Sequence, residues 1–223
     1  MKRILVFLCA LILAFGVIGT ANAYIYIDDD SNPGSEADLY QIFNDIFGIN
    51  YGSSDALFIA RGLADAADDW WYEINGEITA TVRYAGYDQE LGIEDNDGYQ
   101  TVVTGIPQNK QEISVMFDAN GNFMWVEKLS GSGSGVGPWY SNNTDNTDGR
   151  DHFYAFRVDD LVPDIDHAWL IAFEDLFGLG DHDYNDLVAV VKGVAPIPEP
   201  ATMLLLGSGL IGLAALGRKK LFK

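Results

Sequence analysis

The sequence predicts a mainly β protein, an antiparallel β-sandwich of jelly-roll type preceded by one or two N-terminal helices. Apolar residues recur at helical spacing only before residue 70, and later segments alternate apolar and polar residues as strands do. Glycine-rich turn signals separate these short segments, which favours an all-β architecture. Apolar segments at both ends of the 223-residue chain predict a signal peptide and a C-terminal transmembrane helix.

The N-terminal segment has the order of a secretory signal peptide. Lys2 and Arg3 precede an apolar run over residues 4–18, and Ala21-Asn22-Ala23 fits a signal-peptidase site. We therefore expect residues 1–23 to be removed by signal peptidase as the protein crosses the inner membrane. An uncleaved N-terminal anchor is the alternative. Because the only cysteine lies in this segment, the mature domain is expected to have no disulfide.

Residues 24–72 are expected to form a helical segment packed on the β-domain. Apolar residues at i, i+3, i+4, i+7 and i+8 from Leu39 predict a helix over residues 35–48, with Gly48 at its end. A second, less regular helix is predicted over residues 54–67.

Residues 73–194 are expected to form the β-sandwich domain. Asn75-Gly76 and Asn120-Gly121 each separate two apolar runs, and this predicts two β-hairpins. Three further strands are predicted later in the chain, over residues 153–158, 168–173 and 187–192.

The segment over residues 130–150 is rich in glycine, serine and asparagine and has no periodicity. A loop of this length favours disorder. The alternative is a functional loop, in which Trp139 and Tyr140 present exposed aromatic faces to a sugar.

An acidic segment between the last two predicted strands is the strongest functional signal. Asp181, Asp183 and Asn185 occupy alternate positions, so their oxygens can converge on a hard cation such as Ca²⁺. The segment is not an EF-hand, because Asp186 stands where glycine is expected and Lys192 where a bidentate Glu is expected. The predicted ligands are Glu174, Asp175, Asp181, Asp183, Asn185 and Asp186.

Two alternatives to this calcium site remain open. The acidic residues could form a solvated turn with local capping bonds. His152, His167 and His182 could instead hold zinc together with a carboxylate, although their spacing fits no zinc motif. A weaker second calcium candidate follows the mature N-terminus, at Asp28, Asp30 and Asn32.

The C-terminal segment combines a short motif, an apolar helix and a basic tail. Pro198-Glu199-Pro200 precedes apolar residues 201–217, and Arg218, Lys219 and Lys220 follow. The apolar segment is near the minimum length for a membrane span. The basic residues after it favour a C-terminus on the cytoplasmic side of the membrane. This order, over residues 195–223, resembles the PEP-CTERM sorting signal of Gram-negative bacteria. The resemblance implies processing by an exosortase, transient anchoring in the inner membrane, and release to the cell surface or extracellular matrix.

The central region carries a second resemblance. The string from Phe173 through Asp186, with "DHFYAF" over residues 151–156 and "YAGYDQELG" over residues 84–92, is similar to a family of bacterial extracellular β-domains of unknown function. The resemblance covers residues 73–194 and implies a β-sandwich with a calcium site on the six residues named above. It implies no reaction.

The net charge of the mature part indicates which classes of partner it can bind. Residues 1–23 and 201–223 hold six of the 13 basic residues and none of the 33 acidic ones, so the part between them has a net charge of −26 (7 − 33). Such a field disfavours nucleic acid and anionic lipid and suits cations or neutral sugars. No motif of a nucleophile, metalloprotease or phosphate-binding loop is present in the sequence, so we expect no catalytic activity.

The resulting expectation is an exported surface or exopolysaccharide-associated matrix protein with a calcium-stabilised β-sandwich. The alternatives are a carbohydrate-binding module and a glycoside-active or zinc-dependent enzyme.

Overall fold

The computed structural model describes residue 27 and residues 37–63, 68–83, 87–106, 111–130, 137–161 and 167–197. The predicted signal peptide and the Pro198–Lys223 part of the sorting signal lie outside these residues, as do Asp28, Asp30 and Asn32. In the part of the chain that is described, no helix has the length and apolar character needed to cross a membrane.

Both predicted N-terminal helices are present, each shorter than expected. Helix α1 spans Leu39–Phe47, and Gly48 ends it in the left-handed conformation, as predicted. The Gln41 side chain accepts a hydrogen bond from the Asp38 backbone N–H at 3.2 Å, which completes a capping box. Helix α2 spans Ser54–Arg61, and the Ser53 side chain caps its first turn.

The remainder of the described chain is mainly β, and all of the strand pairs are antiparallel. The strands are β1 Trp71–Arg83, β2 Asp88–Asp95, β3 Gly98–Thr104, β4 Gln111–Phe117, β5 Met124–Ser130, β6 Trp139–Tyr140, β7 Phe153–Arg157, β8 Ala168–Phe173 and β9 Leu187–Pro196. They form a five-stranded sheet of order β4-β1-β9-β8-β7 and a four-stranded sheet of order β3-β2-β5-β6. The predicted mainly β, antiparallel class is confirmed.

The five-stranded sheet is covered on both faces, which explains why all six residues of β8 are buried. Along β8, residues 168, 170 and 172 contribute to a cluster with apolar residues of α1 and α2. Residues 169, 171 and 173 contribute to a second cluster with Leu91, Ile93 and Trp125 of the four-stranded sheet. The two-residue period of a strand thus divides one apolar run between two clusters.

The predicted hairpin at Asn75-Gly76 is wrong. These residues lie inside β1, and both flanking parts of the strand pair with β9 across an irregularity between Glu73 and Glu77. Asn75 has φ +78°, which accommodates a bulge rather than a chain reversal. The Glu73 carboxylate accepts hydrogen bonds from the Asn75 and Gly76 N–H groups at 2.7 and 3.0 Å and so holds the bulge.

The second predicted hairpin, at Asn120-Gly121, is also wrong. Strand β4 pairs with β1 in one sheet, whereas β5 pairs with β2 and β6 in the other. The Asn120 turn therefore carries the chain from sheet to sheet. The turn between β2 and β3 holds it there, since Asp95 accepts from the Asn120 N–H at 2.7 Å and Asp97 from its side-chain amide at 2.9 Å.

Candidate metal centre

The acidic segment forms a long loop, residues 174–186, between two neighbouring strands. Phe173 at the end of β8 is paired with Leu187 at the start of β9, so the loop connects the adjacent ends of two interior strands of the five-stranded sheet. We call it the acidic loop. Its backbone curves tightly, and Leu179, His182 and Tyr184 all have positive φ, which is uncommon outside glycine.

Gly180 allows the loop to fold back onto its first residue. It has φ +41° and ψ −116°, a conformation that suits glycine alone. A Cβ at this position would lie 2.7 Å from Glu174 Oε1 and equally close to the Leu176 side chain. The close approach keeps Glu174 facing the interior of the loop.

One set of carboxylates meets inside the acidic loop. Glu174, Asp181 and Asp183 each offer an oxygen, and these atoms lie within 4.8 Å of one another. We call this set the loop group. Glu174 and Asp183 are buried, whereas Asp181 is exposed. The group is therefore enclosed on one side and open to solvent on the other.

Asn185 stands beside the loop group and is buried. Its side-chain amide donates hydrogen bonds to Asp183 Oδ2 at 2.6 Å and to the Ala37 carbonyl, just before α1, at 3.1 Å. Its Oδ1 is buried and has no hydrogen-bond partner in the described part of the chain. A neutral acceptor oxygen left in this state suits a ligand position.

A second set of carboxylates lies next to the first and shares Glu174. Oxygens of Glu174, Asp175 and Asp186 also lie within 4.8 Å of one another, and we call them the inner group. The Asp175 N–H donates to Asp186 Oδ2 at 2.8 Å. The structure thus brings five predicted ligands into two adjoining groups and places the sixth, Asn185, beside them.

Burial and neighbouring charge raise the pKa of two of these carboxyls. Burial, and then the charges of Asp181 and Asp183, raise the pKa of Glu174 to about 8. Burial, and then the charges of Asp175 and Glu174, raise the pKa of Asp186 well above its ordinary value. The protein alone therefore stabilises the ionised cluster poorly, and a bound cation would reverse this.

Sequence reasoning missed two residues of the four-stranded sheet that face this cluster. The side-chain amide of Gln89, on β2, donates to Asp175 Oδ2 at 3.0 Å. Glu127, on β5, is fully buried, and its pKa is raised well above its ordinary value by burial and then by Asp175 and Glu174. A local signal was present, since Glu127 shares a strand face with the apolar Phe123 and Trp125.

Trp139 and His152 form a stacked pair beside the two carboxylate groups. Their rings stack with centroids 3.7 Å apart, and the Trp139 indole N–H donates to the Asp175 carbonyl at 2.7 Å. The His152 ring nitrogens lie 2.6 Å from the Glu174 carbonyl oxygen and 2.9 Å from Asp148 Oδ2. The same Asp148 oxygen accepts from the Gly178 N–H at 2.8 Å, which fixes the acidic loop.

This arrangement corrects the expectations for residues 130–150. Trp139 is fully buried rather than exposed, because its indole fills the space beside the acidic loop. Where the structure describes the segment, at residues 137–150, the chain contains β6 and a 3₁₀ turn over Asn143–Asp145 rather than a disordered loop.

Within the described residues, the structure does not bring together the three histidines of the zinc alternative. His167 precedes β8, whereas His152 contacts Glu174, which follows that strand. Neither of the two close carboxylate groups found in the described residues includes a histidine.

The chemistry of the donors fits a hard, oxygen-preferring cation. Calcium takes six to eight oxygens at about 2.3–2.6 Å, so ligand oxygens on opposite sides lie up to about 5 Å apart. The spacing within both carboxylate groups is compatible with this limit. Buried oxygens of Glu174 and Asn185 lack hydrogen-bond partners, which also fits a cation site.

Comparison with known families divides the chain into two matched regions. Residues 196–220 match the PEP-CTERM protein-sorting motif, and residues 108–194 match a family described as Domain of unknown function (DUF4114). No curated protein matches the chain. The domain match covers the later part of residues 73–194, and it includes the whole acidic loop. The chain therefore combines a region similar to a domain family of unknown function with a C-terminal sorting motif, and that motif implies export and processing by an exosortase.

Proposed function

We propose that this protein is a calcium-stabilised β-sandwich of the cell surface or exopolysaccharide matrix, with a structural or binding role. The two sheets are its layers, and the buried cluster to which both contribute is the core between them. Calcium binds at the loop group and fixes the acidic loop at one end of the sandwich. The proposal assigns no reaction to the domain.

The observation that carries this proposal is the loop group itself. Three carboxylates converge within 4.8 Å, two of them are buried, and Glu174 Oε2 has no hydrogen-bond partner. Ionised carboxylates this close repel one another strongly when shielded from water. A divalent cation converts that repulsion into ligand binding, and Asn185 Oδ1 supplies a further oxygen.

Processing at the two ends completes the proposal. Signal peptidase removes residues 1–23 after export, and the segment from Pro198 to Lys223 anchors the protein in the inner membrane for a time. An exosortase then acts at the sorting motif, and the mature domain reaches the surface or matrix.

A calcium titration of the full-length protein tests the metal site. After equilibration with a chelator, calcium should raise the melting midpoint by roughly 5–10 °C at concentrations about 100-fold above Kd. Asp183→Asn should abolish most of that gain. Asp118→Asn, at an exposed acidic position in the turn between β4 and β5, is the matched control and should keep the gain. A gain from zinc alone would favour the histidine alternative, and no gain from any divalent cation would overturn the proposal.

A carbohydrate-binding role is the second candidate, and Phe177 favours it. This side chain lies in the acidic loop, is 66 % exposed, and approaches the Trp139 ring with centroids 6.5 Å apart. An exposed aromatic face beside a calcium site is suited to stacking on a sugar ring. Leu176, the preceding residue, is also exposed and widens this surface.

Binding to extracted exopolysaccharide distinguishes a carbohydrate module from a structural protein. Phe177→Ala should weaken binding at least tenfold while leaving the calcium-dependent midpoint unchanged. Met116→Ala, which removes an equally exposed apolar side chain from β4, should leave binding intact. If the parent does not bind, the carbohydrate role is excluded and a structural role is favoured. If the parent and both variants bind equally, Phe177 is not part of the binding surface.

A further inference from the structure

Glu127 is a buried carboxylate that has no hydrogen-bond partner among the residues that the structure describes. Glu127 is 0 % exposed, and the lack of a hydrogen-bond partner within the described residues applies to both Oε1 and Oε2. The residue is paired on β5 with Trp139 of β6 and on its other side with Leu91 of β2. It therefore lies in the middle of the four-stranded sheet, where an apolar side chain would cost far less to bury.

Glu127 lies on the face of the four-stranded sheet that is turned toward the five-stranded sheet, because its paired neighbours Leu91 and Trp139 both contribute to the cluster shared with β8. Asp175 and Glu174 are the charges that act on Glu127, and Trp139, its neighbour on β6, donates a hydrogen bond to the Asp175 carbonyl. Gln89, two residues from Leu91 on β2, reaches the same Asp175 side chain with its amide. The Gln89 Oε1 atom is buried and has no hydrogen-bond partner.

Protonation of Glu127 does not resolve this arrangement. A neutral carboxyl would remove one charge, but it would leave the Glu174, Asp175 and Asp186 carboxylates, whose oxygens lie within 4.8 Å of one another, without a neutralising charge. A cation satisfies both Glu127 oxygens and the free Gln89 oxygen at once.

The charge of the whole cluster also exceeds what one ion can neutralise. The loop and inner groups hold five carboxylates, and Glu127, on which the charges of Asp175 and Glu174 act, adds a sixth negative charge when all are ionised. One divalent cation at the loop group leaves four of these charges in an enclosed space, whereas two cations leave two. Shared carboxylates such as Glu174 can bridge neighbouring ions.

We propose a second divalent cation site, of calcium type, formed by Glu127, Asp175 and Asp186 with Glu174 shared and Gln89 Oε1 as a neutral ligand. We call it the inter-sheet site. It deepens the proposed function, on which it rests through the shared Glu174. Its ion joins β2 and β5 of the four-stranded sheet to the acidic loop, which begins where β8 of the five-stranded sheet ends. Calcium then holds the two sheets together as well as ordering the acidic loop.

Ion counting by calorimetric titration of the full-length protein tests this site. Glu127→Gln should bind one calcium fewer than the parent, and Asp183→Asn should lose a different one, so that the double variant loses two. Glu112→Gln, a matched change at an exposed position on β4, should lose none. If Glu127→Gln binds as many ions as the parent while Asp183→Asn loses one, the inter-sheet site is refuted and the loop site stands. The converse result refutes the loop site alone, and no loss in either variant refutes both.

A thermal measurement keeps the test decisive if the glutamine variant folds poorly. Glu127→Leu removes the uncompensated charge, so it should melt at a higher temperature than the parent in chelator and at a lower temperature in saturating calcium. A residue with a purely structural role would change the midpoint in the same direction under both conditions. That uniform change would overturn the inter-sheet site.

Discussion

The Gln89 side chain donates a 3.0 Å hydrogen bond to the Asp175 carboxylate and so links the two sheets. Gln89 lies on β2 of the four-stranded sheet, and Asp175 follows β8 of the five-stranded sheet. Both side chains are buried. The acidic loop is therefore held from the opposite sheet as well as by its own turns, and its charge state should affect the stability of the whole domain.

Stability of the metal-free protein should fall as pH rises. The folded-state pKa of Glu174 is about 8, above its ordinary value of 4.5, so the folded protein binds more protons than the unfolded chain between these values. The free energy of unfolding then decreases with pH across that window. Melting in chelator between about pH 5 and about pH 8 measures this, and Glu174→Gln should flatten the slope.

Calcium should reverse that pH dependence. Because the ion competes with protons for the same oxygens, the calcium-induced rise in melting midpoint should grow from about pH 5 to about pH 8. A calcium effect that is equally large at both ends of the range would contradict binding at these carboxyls.

Two glycines of the acidic loop, both with positive φ, allow a matched comparison of alanine variants. Gly180→Ala should cost on the order of 1–3 kcal/mol and weaken calcium binding, because the new Cβ would meet Glu174 Oε1 and Leu176. Gly178→Ala has open space around its Cβ and should cost only about 1 kcal/mol, for its positive φ. Denaturant unfolding and calcium titration of both variants measure the difference. Equal calcium affinities would show that Glu174 need not be held by the Gly180 contact.

The β1 bulge should depend on Glu73. Its carboxylate accepts from two N–H groups of the bulge and, through Oε2, from the Ala119 N–H at 2.8 Å. Glu73→Ala should therefore lower the free energy of unfolding by about 1–3 kcal/mol, because these donors lose their partner. Glu112→Ala on β4 should change it by less than about 0.5 kcal/mol. Similar effects of the two variants in denaturant unfolding would show that the Glu73 hydrogen bonds do not stabilise the bulge.

The parts of the site that are local in sequence could be predicted, and the distant parts could not. The acidic loop brings together residues within a short stretch, so alternation and charge density were enough to find Asp181 and Asp183. Glu127 and Gln89 reach the same place only through the pairing of β2 with β5 and the packing of two sheets. The apolar residues on its strand face indicate that Glu127 is buried, but they do not indicate which sheet packs against it.

The errors in the β-region have a similar cause. Asn-Gly is a local signal for positive φ, and Asn75 does adopt it. Whether the chain then reverses or continues depends on the partner strand, and β9 pairs with β1 on both sides of Gly76. At Asn120 the chain changes direction as expected, but β4 and β5 pair with strands of different sheets rather than with each other.

A crystal structure of the protein grown in calcium tests the central claim most directly. We expect an ion between the oxygens of Glu174, Asp181 and Asp183, with ligand distances of about 2.3–2.6 Å. If the density between these oxygens is empty in saturating calcium, with the carboxyls protonated or turned into solvent, calcium stabilisation of this domain is contradicted.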